Sequence, residues 1–168
     1  MVKIVQKDNE ILREKAKEVP FADIGGKKIT KILKNMSEAL AKEDDGVALA
    51  APQIAVPLRI FIITGRIFSK EGETPKPDLV FINPKFTNLS KTKIGLEEGC
   101  LSVRWLYGVV KRSDKATIEA YDQNGKKFTR SGSGLMAQIF QHEMDHLEGV
   151  LFIDKTKGVK EYKPEPQK

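Results

Sequence analysis

The stretch His142-Glu143-Met144-Asp145-His146 decides how this sequence is organised. On an α-helix, residues four apart lie on one face, so both imidazoles can reach a single metal ion. Glu143 lies between them, where its carboxylate can contact a water that the metal activates. The chain contains only these two histidines, and the stretch lies among the apolar residues Leu135, Ile139 and Leu147. The pattern therefore predicts a partly buried helix that carries a metal site and a general base, rather than an exposed polar helix.

A catalytic divalent ion usually has three protein ligands and one open position, so a third ligand is needed. A third histidine does not exist. Glu161 and Glu165 lie in a polar C-terminal segment, where a rigid position is difficult to maintain. Cys100 is the better candidate, because a thiolate binds soft and borderline metals well. A free cysteine is more often simply buried, so the residues alone leave ligation and burial as alternatives for Cys100.

Composition and charge limit the class of protein. The chain has 168 residues, of which 40% are hydrophobic and 31% are charged, as in an ordinary soluble domain. One cysteine excludes an intrachain disulfide. The first residues contain no apolar run of signal-peptide length, and no segment is long enough to span a membrane, so we expect a cytoplasmic protein without a membrane partner. The net charge of +6 indicates a lysine-rich solvated surface, because no nucleic-acid-binding motif accompanies it.

Hydrophobic periodicity predicts an α+β fold, with short and mostly antiparallel strands packed around a central metal-binding helix, plus an N-terminal helix. Apolar residues at helical spacing predict the N-terminal helix over 28–43, and Ser133 is expected to cap the second helix, which runs to about 147. Extended segments are predicted over 58–63, 79–82, 107–112, 115–121 and 126–130. We expect Asn83-Pro84 to end the strand over 79–82 and residues 66–78 to form a loop.

Three motifs resemble those of the peptide deformylase family, in the same order and at similar spacing. They are Gly46-Val47-Ala48-Leu49-Ala50-Ala51-Pro52-Gln53, then Glu98-Gly99-Cys100-Leu101-Ser102, then Gln141-His142-Glu143-Met144-Asp145-His146-Leu147-Glu148-Gly149. The resemblance extends to about Asp154. It implies a single catalytic domain over 1–154 that removes the N-formyl group from the N-terminal methionine of new proteins. Residues 155–168 are expected to form a basic, flexible tail.

The resemblance also implies a role for each matching position. Cys100, His142 and His146 would hold one divalent metal ion, Fe²⁺ in the cell and often Zn²⁺ after isolation, although Ni²⁺ and Co²⁺ suit the same ligands. Glu143 would be the general base, and the Gln53 side chain and the Leu101 N–H would form the oxyanion hole. The strand Gly46, Val47, Ala48 and Leu49 would pair with the substrate backbone. Leu135, Ile139 and Val47 would line the pocket for the methionine side chain. N-formylmethionyl nascent peptides would be the substrate, and the ribosome surface a further partner.

The chain departs from the family pattern in two places. Ala48 replaces a glycine, and Arg104-Trp105 replaces the Pro-Gly of many members. A methyl at Ala48 either narrows the substrate cleft or points away from it. Two alternative functions therefore stay open at this point. One is a metallopeptidase that cuts ordinary peptide bonds, and the other is a deformylase-like binding protein without activity. The sequence does not predict the oligomeric state.

Overall fold

The structure is a computed structural model that describes residues 2–164. It contains two α-helices, α1 over Lys27–Leu40 and α2 over Leu135–Leu147. Its strands are β1 Ala48–Ala50, β2 Ile60–Ile63, β3 Leu79–Leu89, β4 Lys93–Glu98, β5 Leu106–Ser113, β6 Lys115–Tyr121, β7 Lys127–Ser133 and β8 Lys160–Glu161. All pairings between these strands are antiparallel, which confirms the predicted α+β class.

A five-stranded sheet in the order β1-β2-β3-β6-β7 forms the main layer. Strand β2 is buried on both faces, which explains its continuous apolar sequence. Phe61 and Ile63 point to the apolar cluster that contains α2 residues, and Ile60 and Ile62 point to the cluster that contains α1 residues. The two helices therefore pack on opposite faces of this sheet, and β1 lies at its edge.

A three-stranded sheet in the order β4-β5-β8 lies beside the first. Helix α2 contacts β1, β6 and β7 of the larger sheet and β5 of the smaller one. The sequence did not predict β4, whose side chains are mostly exposed, or β8, which falls in the segment expected to be a flexible tail. Glu161, the last residue of β8, pairs with Leu106 of β5 and is not among the described residues that could hold a metal ion together. Glu165 and the rest of 165–168 lie outside the described residues.

The predicted end of the strand over 79–82 and the predicted cap of α2 are wrong. Strand β3 continues through Asn83-Pro84 to Leu89 because Asn83 adopts a left-handed φ of 51° at a register shift in the β3–β6 pairing. The Asn83 side chain holds this irregularity by bonding both the N–H and the C=O of Val19, each at 2.8 Å. Ser133 does not cap α2 but is the last residue of β7, and Gly134, with φ 54°, turns the chain directly into the helix.

Helix α1 begins one residue before its predicted start and ends three residues before its predicted end. Within residues 2–164, neither helix is long and apolar enough to cross a membrane.

Candidate active site

A cleft of about 300 Å³ lies where the open edge of β1 meets α2 and the loop that follows β4. Residues 46–48, 97–101 and 104–107 line it, together with Gln53 and the α2 residues Leu135, Gln138, Ile139, His142 and Glu143. The three motifs, which are separated by roughly forty residues each along the chain, thus meet in one place.

Cys100, His142 and His146 converge at the base of the cleft, and their ligand atoms all lie within 4.8 Å of one another. The Cys100 Sγ lies 3.2 Å from His146 Nε2. Burial by itself raises the pKa of the thiol, but His146 and His142 outweigh that effect and lower the pKa to about 5. A cysteine with this pKa is a thiolate at neutral pH, which is the form that binds metals.

Glu98 fixes the orientation of His142. Its Oε2 lies 2.8 Å from His142 Nδ1, which leaves Nε2 available as the ligand atom. Arg112, itself buried, donates to both Glu98 oxygens at 2.6 and 2.9 Å and to Asp145 at 2.6 Å. Burial raises the pKa of Glu98, but the hydrogen bonds from Arg112 and His142 prevail and lower the pKa to about 2. Glu98 therefore stays ionised beside the histidine.

The sequence did not assign roles to Glu98 or Arg112. Glu98 lies two residues before Cys100 inside a quoted motif, so its position offered a signal. Arg112 lies on β5, where only the fold brings it to the α2 residues, and its local sequence offered none.

Glu143 is buried, with 4% of its surface exposed. Within the described residues 2–164, its Oε2 and the Nδ1 of His146 are buried atoms without a hydrogen-bond partner. Burial raises the pKa of the Glu143 carboxyl to about 7, although His142 and His146 act in the opposite direction. A carboxyl group with a pKa near neutrality can both accept and return a proton at physiological pH.

The Gln53 side chain is held from both ends. Its Oε1 accepts from the Ala50 N–H at 2.9 Å, so its Nε2 must face the cysteine loop. There, Nε2 donates to Ser102 Oγ at 3.1 Å and lies 3.6 Å from Cys100 Sγ. The Gln53 amide is therefore a fixed donor beside Cys100, and the Leu101 backbone lies in the same loop as that cysteine.

The residues expected to bind substrate do not all lie in the cleft. Val47 and Ala48 line it, as do Gly46 and two residues of α2, Leu135 and Ile139. Ile139 is 4% exposed and Leu135 is 55% exposed, so they lie at the floor and the rim. Leu49 does not line the cleft: its side chain is fully buried in the apolar cluster on the α1 side of the sheet. Alternation along the strand sends it to the opposite face from Ala48.

Gly46 lies in tight contact with its neighbours. A Cβ there would lie 2.9 Å from Leu40 Cδ1 and 3.0 Å from Glu43 Cβ, so the Leu40 side chain would have to shift to admit one. Its carbonyl accepts from Arg66 Nη2 at 2.9 Å, which anchors the segment that leads into β1.

Cysteine, two histidines and a buried carboxylate form a donor set that suits a divalent ion. The unpartnered Oε2 of Glu143 also fits a site in which a water beside the ion completes the hydrogen bonding. The fold and the site therefore define the class of metal-dependent hydrolases with a His-Glu-x-x-His helix.

The polypeptide deformylase family matches residues 1–162, and the chain belongs to this family. The family is metal-dependent. The chain is 41% identical to a peptide deformylase of Borreliella burgdorferi, over 87% of this chain and 82% of that protein. It is 37% identical to peptide deformylase 2 of Clostridium acetobutylicum, over 88% of this chain and 89% of that protein.

Solved structures share the fold. A crystal structure of a peptide deformylase from Legionella pneumophila superposes with a TM-score of 0.81 at 36% identity, covering 94% of this chain and 86% of that one. Some relatives are longer. The chain spans 52% of the chloroplastic peptide deformylase 1B and 59% of the chloroplastic 1A of Solanum lycopersicum.

Proposed function

We propose that this protein is a peptide deformylase that hydrolyses the N-formyl group of N-terminal formylmethionine in newly made polypeptides. The convergence of Cys100, His142 and His146 beside the buried Glu143 is the observation that carries the proposal. Names and structures of the relatives support it, because they are deformylases over most of this chain's length.

Cys100, His142 and His146 would hold one divalent ion, with Fe²⁺ proposed for the cell. When bound, the ion supplies Lewis acidity, which lowers the pKa of water towards 7 and polarises a carbonyl group. Helix α2 is then the metal-binding helix, and its contacts with both sheets hold two of the three ligands rigidly.

The open edge of β1 would receive the substrate as an added strand. The Thr64 N–H bonds the Val47 C=O at 2.9 Å, so Val47 faces β2. Since hydrogen-bonding directions alternate along an antiparallel strand, the N–H and C=O of Ala48 face the open edge. Leu49 would contribute by packing this edge strand onto the α1 side, not by contacting the peptide.

The remaining residues would move the proton and stabilise the charge. Glu143 would take a proton from the attacking water as the water oxygen bonds to the formyl carbon. Gln53 Nε2 and the Leu101 N–H would donate to the oxygen that gains negative charge, where one such donor contributes roughly 3–4 kcal/mol. Glu143 would then give its proton to the leaving nitrogen as the C–N bond breaks, which yields formate and a free amino group.

Ile139 and Leu135 on α2, with Val47, would form the pocket for the methionine side chain. We also propose that the protein is cytoplasmic and that its basic C-terminal segment docks on the ribosome surface. Both follow from the proposed substrate, because formylated nascent chains emerge from the ribosome.

Formate release from formyl-Met-Ala-Ser, measured on anaerobically purified protein whose metal content is determined in the same sample, tests the function. Acetyl-Met-Ala-Ser and unblocked Met-Ala-Ser serve as controls. We expect formate from the first peptide and no reaction of the others. Cleavage of a bond inside any of the peptides would indicate a metallopeptidase, and metal-loaded protein that binds the formyl peptide without hydrolysis would indicate a binding protein.

A further inference from the structure

Trp105 has a backbone conformation that bulky residues rarely adopt. Its φ is 67°, in the left-handed region that favours glycine. Such strain persists only where the surrounding structure holds the residue in place, and it concentrates at sites of function. Trp105 lies in the loop between Cys100 and β5, and it lines the cleft.

Two other segments hold Trp105 in this conformation. Its C=O accepts from the Tyr162 N–H, just after β8, at 2.8 Å. The guanidinium of the neighbouring Arg104 lies 5.2 Å from the indole centroid. Arg104 is itself fixed, because it forms ion pairs with Glu43 and, at 2.7 Å, with Asp45. The loop is thus tied to the segment before β1 and to the C-terminal strand.

The direction of β1 shows which part of a substrate would meet Trp105. Gln53 bonds the Ala50 N–H and reaches Cys100, so the Ala50 end of β1 lies nearest the metal ligands. From there β1 runs back through Ala48 towards Asp45, which Arg104 binds. A peptide on this edge, with its formyl group at the ligands, extends towards Arg104 and Trp105 beyond its methionine.

We propose that Trp105 is a specificity-determining residue whose indole packs against the side chain that follows the formylated methionine, so that bulky apolar residues are favoured there. The inference rests on the proposed deformylase function. The half-buried indole offers a flat apolar surface, and Arg104 neutralises the two carboxylates beside it. Small residues at this substrate position would leave the indole uncovered.

Steady-state kinetics on formyl-Met-X-Ser peptides, with X as Leu, Phe, Ala or Gly, test the proposal on metal-loaded protein. We expect kcat/KM for Leu and Phe to exceed that for Gly by roughly tenfold. Trp105→Gly, which suits the left-handed conformation, should remove this preference mainly through KM, and Trp105→Phe should retain part of it. Phe21→Ala, which removes an exposed aromatic ring outside the cleft, should leave the preference unchanged.

Trp105 is also the only tryptophan, so its fluorescence reports on the contact directly. In the metal-loaded Glu143→Gln protein, saturation with formyl-Met-Leu-Ser should shift the emission more than formyl-Met-Gly-Ser does, with saturation checked by calorimetry. An unchanged emission at saturation, or the same preference for X in Trp105→Gly as in the natural protein, would overturn the proposal. A natural protein that deformylates no peptide would instead overturn the proposed function, and the emission shift would still decide the role of Trp105.

Discussion

Replacing Glu143 by glutamine tests the centre of the proposed chemistry. The two side chains have nearly the same shape, but the amide cannot take a proton from water. Loss of a general base typically costs roughly 100- to 10,000-fold in rate, and we expect kcat to fall within that range. The metal content should stay the same, because Cys100, His142 and His146 are untouched.

The same substitution should stabilise the metal-free fold in a pH-dependent way. Burial raises the Glu143 pKa from 4.5 to about 7. Below pH 4.5 the carboxyl is protonated in both the folded and the unfolded chain, so the free energy of unfolding does not depend on its titration there. As the pH rises towards 7, the unfolded chain releases this proton first, and the free energy of unfolding falls. Above pH 7, the full rise in pKa lowers the free energy of unfolding of the natural protein by roughly 3 kcal/mol. The Glu143→Gln protein would not show this loss.

Urea unfolding at pH 5 and pH 8, with chelator present, measures this difference, and formate release measures the activity of the metal-loaded protein. Glu14→Gln removes the same charge from an exposed position and is the matched control. More than a tenth of the natural activity in Glu143→Gln would refute the general-base role. An equal stability difference at the two pH values would refute the explanation by burial.

Three further predictions follow from the site. Cys100→Ser should lower metal occupancy after dialysis and shift the preference away from soft ions, because it removes the thiolate of the proposed metal site. Full occupancy by metal analysis would show that Cys100 is not a ligand. Ending the chain at Gly158 removes β8 and the hydrogen bond from Tyr162 to Trp105. The KM for formyl-Met peptides should therefore rise several-fold while the metal content stays the same. Unchanged kinetics would show that β8 does not support the cleft. Ala48→Gly should lower the free energy of unfolding by about 1–2 kcal/mol in urea titrations, because Ala48 is 7% exposed and lies in the apolar cluster with α2. A several-fold rise in kcat/KM in this variant would show that the methyl group of Ala48 obstructs the substrate.

Local sequence determined those features that depend on spacing along the chain. Two histidines four residues apart predict one helical face, and the helix α2 provides that face. The continuous apolar run ending at Ile63 predicts a buried strand, which is β2. The α+β class follows from such patterns, because the periodicity of helices and strands is a property of neighbouring residues. The family follows from the resemblance of three short motifs and their order along the chain.

The tertiary structure alone decided which distant groups meet. Nothing near Arg112 indicates that it pairs with Glu98 and Asp145, and nothing near Tyr162 indicates that it bonds Trp105. Strand alternation places the Leu49 side chain on the face of the sheet opposite that of Ala48, in the cluster on the α1 side, which the motif alone does not show. These outcomes depend on sheet register and on the packing of elements far apart in the chain. The sequence therefore determined the reactive groups, and the fold determined how they are oriented and what surrounds them.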